Sequence, residues 1–222
     1  MYISLMRSLR YLIFTRPDIL FVVGLVCHFM ENSSSSHLTV AKIILSYLKG
    51  ALNYGLFYGS SNIFELVGYC DSNFGGDKDD RKSTSRYAFS WEIQLSHEVL
   101  RRNQLARFLA VKLSMLLLHL VLVMLFAYGN CWLKLNSQEK KVTEILIDNK
   151  SAQALAKNLF FHDRSKNIDT QYHFIHECVE KKEVKLNYIS SLDQVANIFT
   201  KPLKCDLFCK FRRLLGVGKN QV

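Results

Sequence analysis

The sequence predicts an α/β fold that is preceded by a small helical unit. From about residue 64 onward, apolar runs of strand length alternate with segments of helical periodicity, which indicates layers of sheet and helix. Before this alternation, two helical segments rich in apolar residues lie on either side of a polar break at 32–36. Proline and glycine near the ends of these segments indicate where the helices start and stop.

The composition is that of a globular protein with a basic surface. The 222 residues are 49% hydrophobic and 22% charged, so the chain is too apolar to be disordered and a core can form. The formal net charge is +10. Such a surplus favours a polyanionic partner, either nucleic acid or an acidic membrane surface, and the alternative is a basic protein with neither partner.

The cysteines do not form a recognisable framework. None is part of a Cys-x-x-Cys pair, so we expect reduced thiols in a cytoplasmic or nuclear, non-secreted protein; the six are Cys27, Cys70, Cys131, Cys178, Cys205 and Cys209. Residues 1–18 also lack the uninterrupted apolar stretch of a signal peptide. A zinc site is a remote alternative, because the spacing of its candidate ligands fits no standard site; these are His173, His176, Cys178, Cys205 and Cys209.

The helical unit is predicted from its boundaries. Pro17 and Asp18 suit the first turn of a helix, and the apolar residues 19–30 predict that this helix is mostly buried. Ser36 is a candidate cap for a second helix that ends at Gly50. A short extended run is expected at 54–58.

The sheet unit is predicted from short apolar runs separated by helical segments. The expected strands are 64–70, 87–91, 142–147 and 184–189, and the expected helices are 151–158, 168–182 and 194–200.

Two aspartates stand directly after predicted strands. Asp71 follows the run 64–70, and Asp148 follows the run 142–147. A rigid sheet can hold carboxylates close together at strand ends, and clustered carboxylates bind Mg²⁺ or Mn²⁺. Two such ions can act on a phosphodiester bond. The alternative is that both residues belong to ordinary turns or caps.

The apolar run 113–128 allows three interpretations. Its sixteen residues fall short of the ~20 that a helix needs to span a bilayer. The run could be a buried core helix, a membrane segment that would make the protein membrane-associated, or a stretch with no evolved fold.

Several separated motifs resemble the C-terminal part of a Ty1/copia-type retrotransposon Pol polyprotein. They occur in family order and cover nearly the whole chain except roughly 91–138; they include RPDILFVV, AKIILSYLKG, LVGYCDSNFGG, ILIDNKSAQALAKN and DQVANIFTKPL. The resemblance implies that 1–60 is the helical tail of the reverse transcriptase region. It implies a ribonuclease H-like domain at 64–205, with a mixed sheet flanked by helices, and a basic tail at 206–222.

The resemblance also implies a set of metal ligands. Asp71 matches the first metal-binding aspartate of the family, and Asp148 matches the third acidic position. The second position, a glutamate in a Glu-Ala-Glu-Tyr segment, has no counterpart here. The fourth position is Asn197, and Asp193 could partly compensate for it. Arg86 and Asn167 also depart from the family pattern, which usually has glycine and histidine there.

The expected function is therefore that of an RNA–DNA hybrid ribonuclease remnant using Mg²⁺ or Mn²⁺ if its site survives. Losing two of four carboxylates should weaken the binding of the second ion, so we expect little or no hydrolysis. The main alternative is a non-enzymatic module that binds nucleic acid through its charge.

An out-of-frame segment at about 91–134 would explain the missing glutamate. Residues 112–115 can be written AAG CTG AGT ATG, which with a preceding G and an earlier frame gives GAA GCT GAG TAT, encoding Glu-Ala-Glu-Tyr. A segment of this origin was never selected to fit the sheet, so we expect poor packing there. The genomic nucleotides test this hypothesis.

Overall fold

The protein is described by a computed structural model. The structure describes residues 2–56, 66–73, 84–91, 94–99, 114, 118–123, 126, 142–157 and 166–219. Cys131 and most of the segment 91–134 lie outside these residues.

The helical unit consists of three helices and a short 3₁₀ turn. They are α1 (Tyr2–Leu12), the turn Pro17–Ile19, α2 (Leu20–Cys27) and α3 (Ser35–Gly50). Met6, Val23 and Ala41 are fully buried where the three helices meet. Gly50 ends α3 as predicted, but Ser34 rather than Ser36 caps it, through a capping box with His37. The apolar residues 19–30 are mostly buried or half-buried, as predicted, and Leu25 of α2 is 40% exposed.

The main sheet has five strands in mixed orientation. They are β2 (Leu66–Asn73), β3 (Thr84–Trp91), β4 (Gln94–Val99), β5 (Thr143–Ile147) and β6 (Val184–Tyr188). Their spatial order is β4-β3-β2-β5-β6, with antiparallel pairing on the β3 side of β2 and parallel pairing from β2 through β5 to β6. The predicted mixed sheet is confirmed, and β4 is a strand that the sequence patterns did not indicate.

Helices cover both faces of this sheet. On one face, α4 (Lys150–Lys157) and α5 (Lys166–Glu180) pack with the helical residues 118–123 around Ile145 and Ile147. On the other face, α6 (Asn197–Thr200) and α7 (Cys205–Leu214) pack against the sheet, and Leu20 of α2 joins the same apolar cluster. The α/β architecture with flanking helices is therefore as predicted.

The described part of the apolar run 113–128 packs into the core. Leu118, Val121 and Leu122 are each 0% exposed and belong to the cluster around Ile145. The expectation of poor packing is wrong for these three residues, since their burial is complete. Within the described ranges, no helix is both long enough and apolar enough to cross a membrane.

A second, two-stranded sheet links distant parts of the chain. β1 (Tyr54–Leu56) pairs antiparallel with β7 (Val217–Lys219), so Tyr54 lies opposite Lys219. Part of the predicted basic tail at 206–222 thus forms helix α7 and strand β7. The boundaries 1–60, 64–205 and 206–222 stay predictions.

Candidate active site at the strand ends

Parallel pairing brings the two predicted aspartates together. In the β2–β5 ladder, Cys70 lies opposite Ile147, and the next residues along the two strands are Asp71 and Asp148. Adjacent strands lie about 4.8 Å apart, so side chains at the same level of neighbouring parallel strands emerge side by side. The site is thus set by the register of two central strands.

Asp71 is a buried, fully engaged carboxylate. It is 1% exposed. The Thr200 hydroxyl donates a hydrogen bond to Oδ2 of Asp71, and the Lys201 ammonium lies 3.0 Å from Oδ1. Both carboxylate oxygens therefore have a donor from the end of α6. Such pairing offsets the cost of removing the charge from water.

Lys201 contacts three residues of the site. Its Nζ lies 2.9 Å from Oδ1 of Asn197, 3.0 Å from Asp71 and 3.9 Å from Oδ2 of Asp148. Asn197 begins α6 and Lys201 follows its last residue, so the two side chains are four residues apart on one side of the helix. The ammonium thus lies among the oxygens of Asp71, Asp148 and Asn197, the three residues that the resemblance matched to metal-binding positions.

Two buried amides hold α6 against the strand ends. Nε2 of Gln194 donates to the backbone oxygens of Cys70 and Leu146, at 2.8 and 3.2 Å. Nδ2 of Asn197 donates to the backbone oxygen of Ser191 at 2.7 Å. Because Gln194 bonds both central strands and Asn197 bonds the segment that leads into α6, Lys201 is held near Asp71 by more than the ion pair alone.

Asp148 is in a different electrostatic environment from Asp71. Burial raises the pKa of Asp148 above its ordinary value, the neighbouring Asp71 charge raises it further, and Lys201 and a hydrogen bond from Ser191 lower it in part. The Ser191 hydroxyl lies 3.4 Å from Oδ2. Burial, with the two aspartates, also raises the pKa of the Cys70 thiol, so this thiol is not a nucleophile at neutral pH.

Ser114 lies beside the loop that carries Asp148. Asn149 caps α4 through its Oδ1, and its Nδ2 donates to Oγ of Ser114 at 3.2 Å. Ser114 is within the stretch 112–115 whose shifted frame encodes the missing glutamate motif, and it is 6% exposed. A short hydroxyl side chain therefore contacts the residue that follows Asp148.

The remaining predicted positions fall outside the cluster or beside it. The Asp193 carboxylate is bound by Lys210 at 2.6 Å and its side chain is 55% exposed. Arg86 lies opposite Asp71 in the β2–β3 register, is 7% exposed, and has a guanidinium nitrogen 3.2 Å from the place where a Cβ of Gly24 would lie. Asn167 is helical, but its side chain is outside the described residues.

The donor set supplied by the described residues does not fit two divalent ions. Among these residues, no group of three or more His, Cys, Asp or Glu side chains is placed to hold a metal ion. Within the described part of the chain, Asp71 and Asp148 are the two carboxylates of the cluster, and an oxygen of each lies within 4 Å of the Lys201 ammonium. Two hard cations need more oxygen ligands with more charge than this.

Sequence reasoning found the acidic positions but missed the residues that surround them. Gln194, Thr200 and Lys201 all lie within the DQVANIFTKPL motif, but no role was predicted for them. The sequence feature that could have indicated these residues is that they are polar within a segment that is otherwise apolar and buried. Only the strand register shows that this segment meets the ends of β2 and β5.

The mixed sheet with helices on both faces, and an aspartate pair at the ends of its central parallel strands, define a ribonuclease H-like domain. The chain is 33% identical over 225 residues to the retrovirus-related Pol polyprotein from transposon RE1 of Arabidopsis thaliana, covering 98% of this chain. It is also 33% identical over 231 residues to that from transposon TNT 1-94 of Nicotiana tabacum, covering 99%. Over nearly its whole length it is homologous to Pol polyproteins of copia-type transposons, as its motifs predicted.

The chain spans only 15% of the RE1 polyprotein and 16% of the TNT 1-94 polyprotein. No protein-family model matches it. Among solved structures, LC11-RNase H1 aligns with a TM-score of 0.43 at 12% identity, covering 62% of this chain and 94% of that one. The foamy viral protease-reverse transcriptase aligns with a TM-score of 0.41 at 15% identity, covering 72% of this chain and 30% of that one.

Proposed function

We propose that this domain binds RNA–DNA hybrid as a remnant of the retrotransposon ribonuclease H and hydrolyses it weakly or not at all. The observation that carries the proposal is the placement of Lys201 among the oxygens of Asp71, Asp148 and Asn197. The strand register keeps the ancestral pair of aspartates together, and the surrounding residues no longer supply the charge that two-ion hydrolysis requires.

The loss of charge is concentrated at two positions. Asn197 offers a neutral carbonyl oxygen in place of a carboxylate, and that oxygen accepts a hydrogen bond from Lys201. Ser114 offers only a hydroxyl. Because affinity for a divalent cation depends strongly on the number of charged ligands, Mg²⁺ or Mn²⁺ should bind weakly. Asp71 and Asp148 remain the residues that would contact an ion.

Nucleic acid binding follows from a different property, the net charge of +10. A surplus of lysine and arginine binds phosphate backbones without base contacts, and it does not depend on the aspartate pair. We therefore expect binding to survive where hydrolysis is lost, in an intracellular setting that is cytoplasmic or nuclear. The non-enzymatic binding module is the second candidate, and the engaged state of Asp71 favours it.

Cleavage of a labelled RNA–DNA hybrid tests the first part of the proposal. The full chain is incubated with Mg²⁺ or Mn²⁺ beside an Asp71→Asn variant, after circular dichroism has shown that both are folded. We expect no difference between them. Cleavage by the wild-type chain at an ordinary ribonuclease H rate, lost in the variant, would contradict the proposal.

Salt-dependent binding of the same hybrid tests the second part. We expect a dissociation constant that rises steeply with salt and is the same with and without divalent metal, because counterion release dominates. Lys204→Ala combined with Arg213→Ala removes two exposed charges from the C-terminal region and should weaken binding and reduce the salt slope by about 1–2. Absence of binding at low salt rules out both candidates.

A further inference from the structure

The Lys201 ammonium has the contacts of a bound cation. It has Asp71 and Asn197 oxygens at 3.0 and 2.9 Å and an Asp148 oxygen at 3.9 Å. These groups come from three different segments: the end of β2, the residue after β5 and the start of α6. One positively charged group therefore holds together the carboxylates that a metal ion would otherwise hold.

The ammonium and a divalent ion would need the same atoms. Oδ1 of Asp71 already accepts from Lys201 and Oδ2 accepts from Thr200, so an ion bound to Asp71 would share an oxygen with one of these two donors. Two cations within a few ångströms of each other repel strongly at low dielectric constant. Binding of an ion therefore requires the Lys201 side chain to leave the cluster.

The Lys201 side chain can move from the cluster into solvent. Its side chain is 31% exposed, whereas that of Asp71 is 1% exposed and that of Asp148 is 16% exposed. A flexible four-carbon side chain at the end of a short helix can turn toward solvent without moving the backbone. The aspartates, by contrast, are fixed by the sheet register, so the cation is the replaceable member of the cluster.

We propose that Lys201 is a built-in counterion of the Asp71–Asp148 pair that competes with divalent metal for the site. In its presence the strand ends are stable without metal, and the affinity for metal is low. The inference rests on the same site as the proposed function, but its test measures metal binding, which is separate from hybrid binding and from cleavage.

Mn²⁺ binding to the full chain tests this competition directly. Free Mn²⁺ is measured by electron paramagnetic resonance for the wild type, for Lys201→Met, and for Lys204→Met as a matched loss of one exposed lysine nearby. We expect wild type and Lys204→Met to bind weakly, with dissociation constants near or above about 1 mM. Lys201→Met should bind at least about tenfold more tightly.

Thermal unfolding supplies a second readout. Without metal, Lys201→Met should unfold at a lower temperature than the wild type, because two aspartates then lie together without a counterion. Adding Mn²⁺ should restore its midpoint while leaving the wild-type midpoint almost unchanged. Lys201→Arg keeps the charge and should behave as the wild type does. Equal Mn²⁺ affinity for wild type and Lys201→Met, or an equal gain in midpoint, overturns the proposal.

A measurement on the wild-type chain covers the case in which Lys201→Met does not fold. Acetic anhydride is applied without metal, and mass spectrometry compares the modification of Lys201 with that of the exposed Lys204. We expect Lys201 to react several times more slowly, since its ammonium is held by the cluster. Equal reactivity of the two lysines would show that Lys201 is not resident there and would overturn the proposal. Hybrid binding without metal, measured on the same sample, reports on the proposed function separately.

Discussion

Two buried ionic clusters in this molecule differ in how their charges are balanced. One lies in the helical unit, where Asp18 faces Arg16, and the other lies at the strand ends, where Asp71 and Asp148 share Lys201. Both bury a carboxylate almost completely, but in the contacts described above Arg16 binds a single aspartate, whereas Lys201 lies near two. The difference allows the stabilising effects of the two arrangements to be compared.

The Arg16–Asp18 cluster is closed and satisfied. Two guanidinium nitrogens of Arg16 donate to the two oxygens of Asp18 at 2.9 Å, and a third donates to the backbone oxygen of Ala51. The Tyr47 hydroxyl donates to Asp18 at 2.6 Å and accepts from Arg212 at 3.2 Å. The cluster therefore joins the helical unit to α7. Its charged groups bind one another, so the arrangement does not indicate a ligand site.

The largest expected effect is that of Asp18→Ala. It leaves the Arg16 guanidinium buried without its carboxylate, which should lower the free energy of unfolding by about 3–5 kcal/mol. Urea denaturation measures the loss, with Glu31→Ala as the control because Glu31 is exposed. A loss below about 1 kcal/mol would mean that the Arg16–Asp18 cluster does not stabilise the fold as proposed.

Asp71→Asn should have a smaller effect. The amide can still accept from Thr200 or Lys201, but Lys201 loses its closest charged partner, so we expect a loss of about 1–3 kcal/mol. The same denaturation experiment checks this value. If Asp71→Asn lowers the free energy of unfolding more than Asp18→Ala does, the cluster at the strand ends stabilises the fold more than the Arg16–Asp18 cluster does.

Tyr47→Phe tests the link between the helical unit and α7. It removes one hydroxyl that bonds both Asp18 and Arg212, and Asp18 keeps its bidentate contact with Arg16. We expect a loss of about 1 kcal/mol. Tyr11→Phe, at an 82% exposed position, is the matched control and should leave the stability unchanged.

Asp148→Asn should have the smallest effect and the opposite sign. Because the pKa of Asp148 is raised in the folded state, the folded chain binds more protons than the unfolded chain between the ordinary pKa of 3.8 and the raised value. Stability therefore falls as the pH rises through this window, and the penalty is complete above it. The variant lacks the penalty, so at pH 7 it should equal or exceed the wild type by less than about 1 kcal/mol.

Denaturation at about pH 4 and pH 7 checks the sign of this effect. The advantage of Asp148→Asn over wild type should shrink toward the acidic end, where the wild-type carboxyl is protonated. A constant difference at both pH values would mean that Asp148 does not titrate differently in the folded and unfolded chains.

Local patterns were sufficient to predict most elements and the aspartate pair. The apolar runs before Asp71 and Asp148 form strands as predicted, although β2 continues past Asp71 to Asn73, and their parallel register is seen only in the structure. Asp18 shows where such patterns fail: an acidic residue in a first helical turn suggests a dipole contact, and the structure gives it an ion pair with Arg16. The role of Lys201 depends on a contact across 130 residues of sequence, which periodicity does not encode.

The apolar residues 118–123 also show that local patterns do not predict long-range contacts. Their composition alone could not distinguish a core helix from a membrane segment or an unselected stretch. The burial of Leu118 and Leu122 in the cluster around Ile145 places them in the core, and the origin of the segment stays a prediction that the genomic nucleotides test. The face of the sheet around Ile145 exists only once the strands are paired, so the local sequence cannot show what covers it.

The pairing of β1 with β7 has a consequence for the order of events during synthesis. Tyr54 can meet Lys219 only after nearly the whole sheet domain has been translated. Closing so long a loop is entropically costly unless the intervening chain is already compact, so this ribbon should form last. During synthesis, β1 would then stay unpaired until residue 219 has left the ribosome. The β1–β7 pair would form only after the sheet domain has been made.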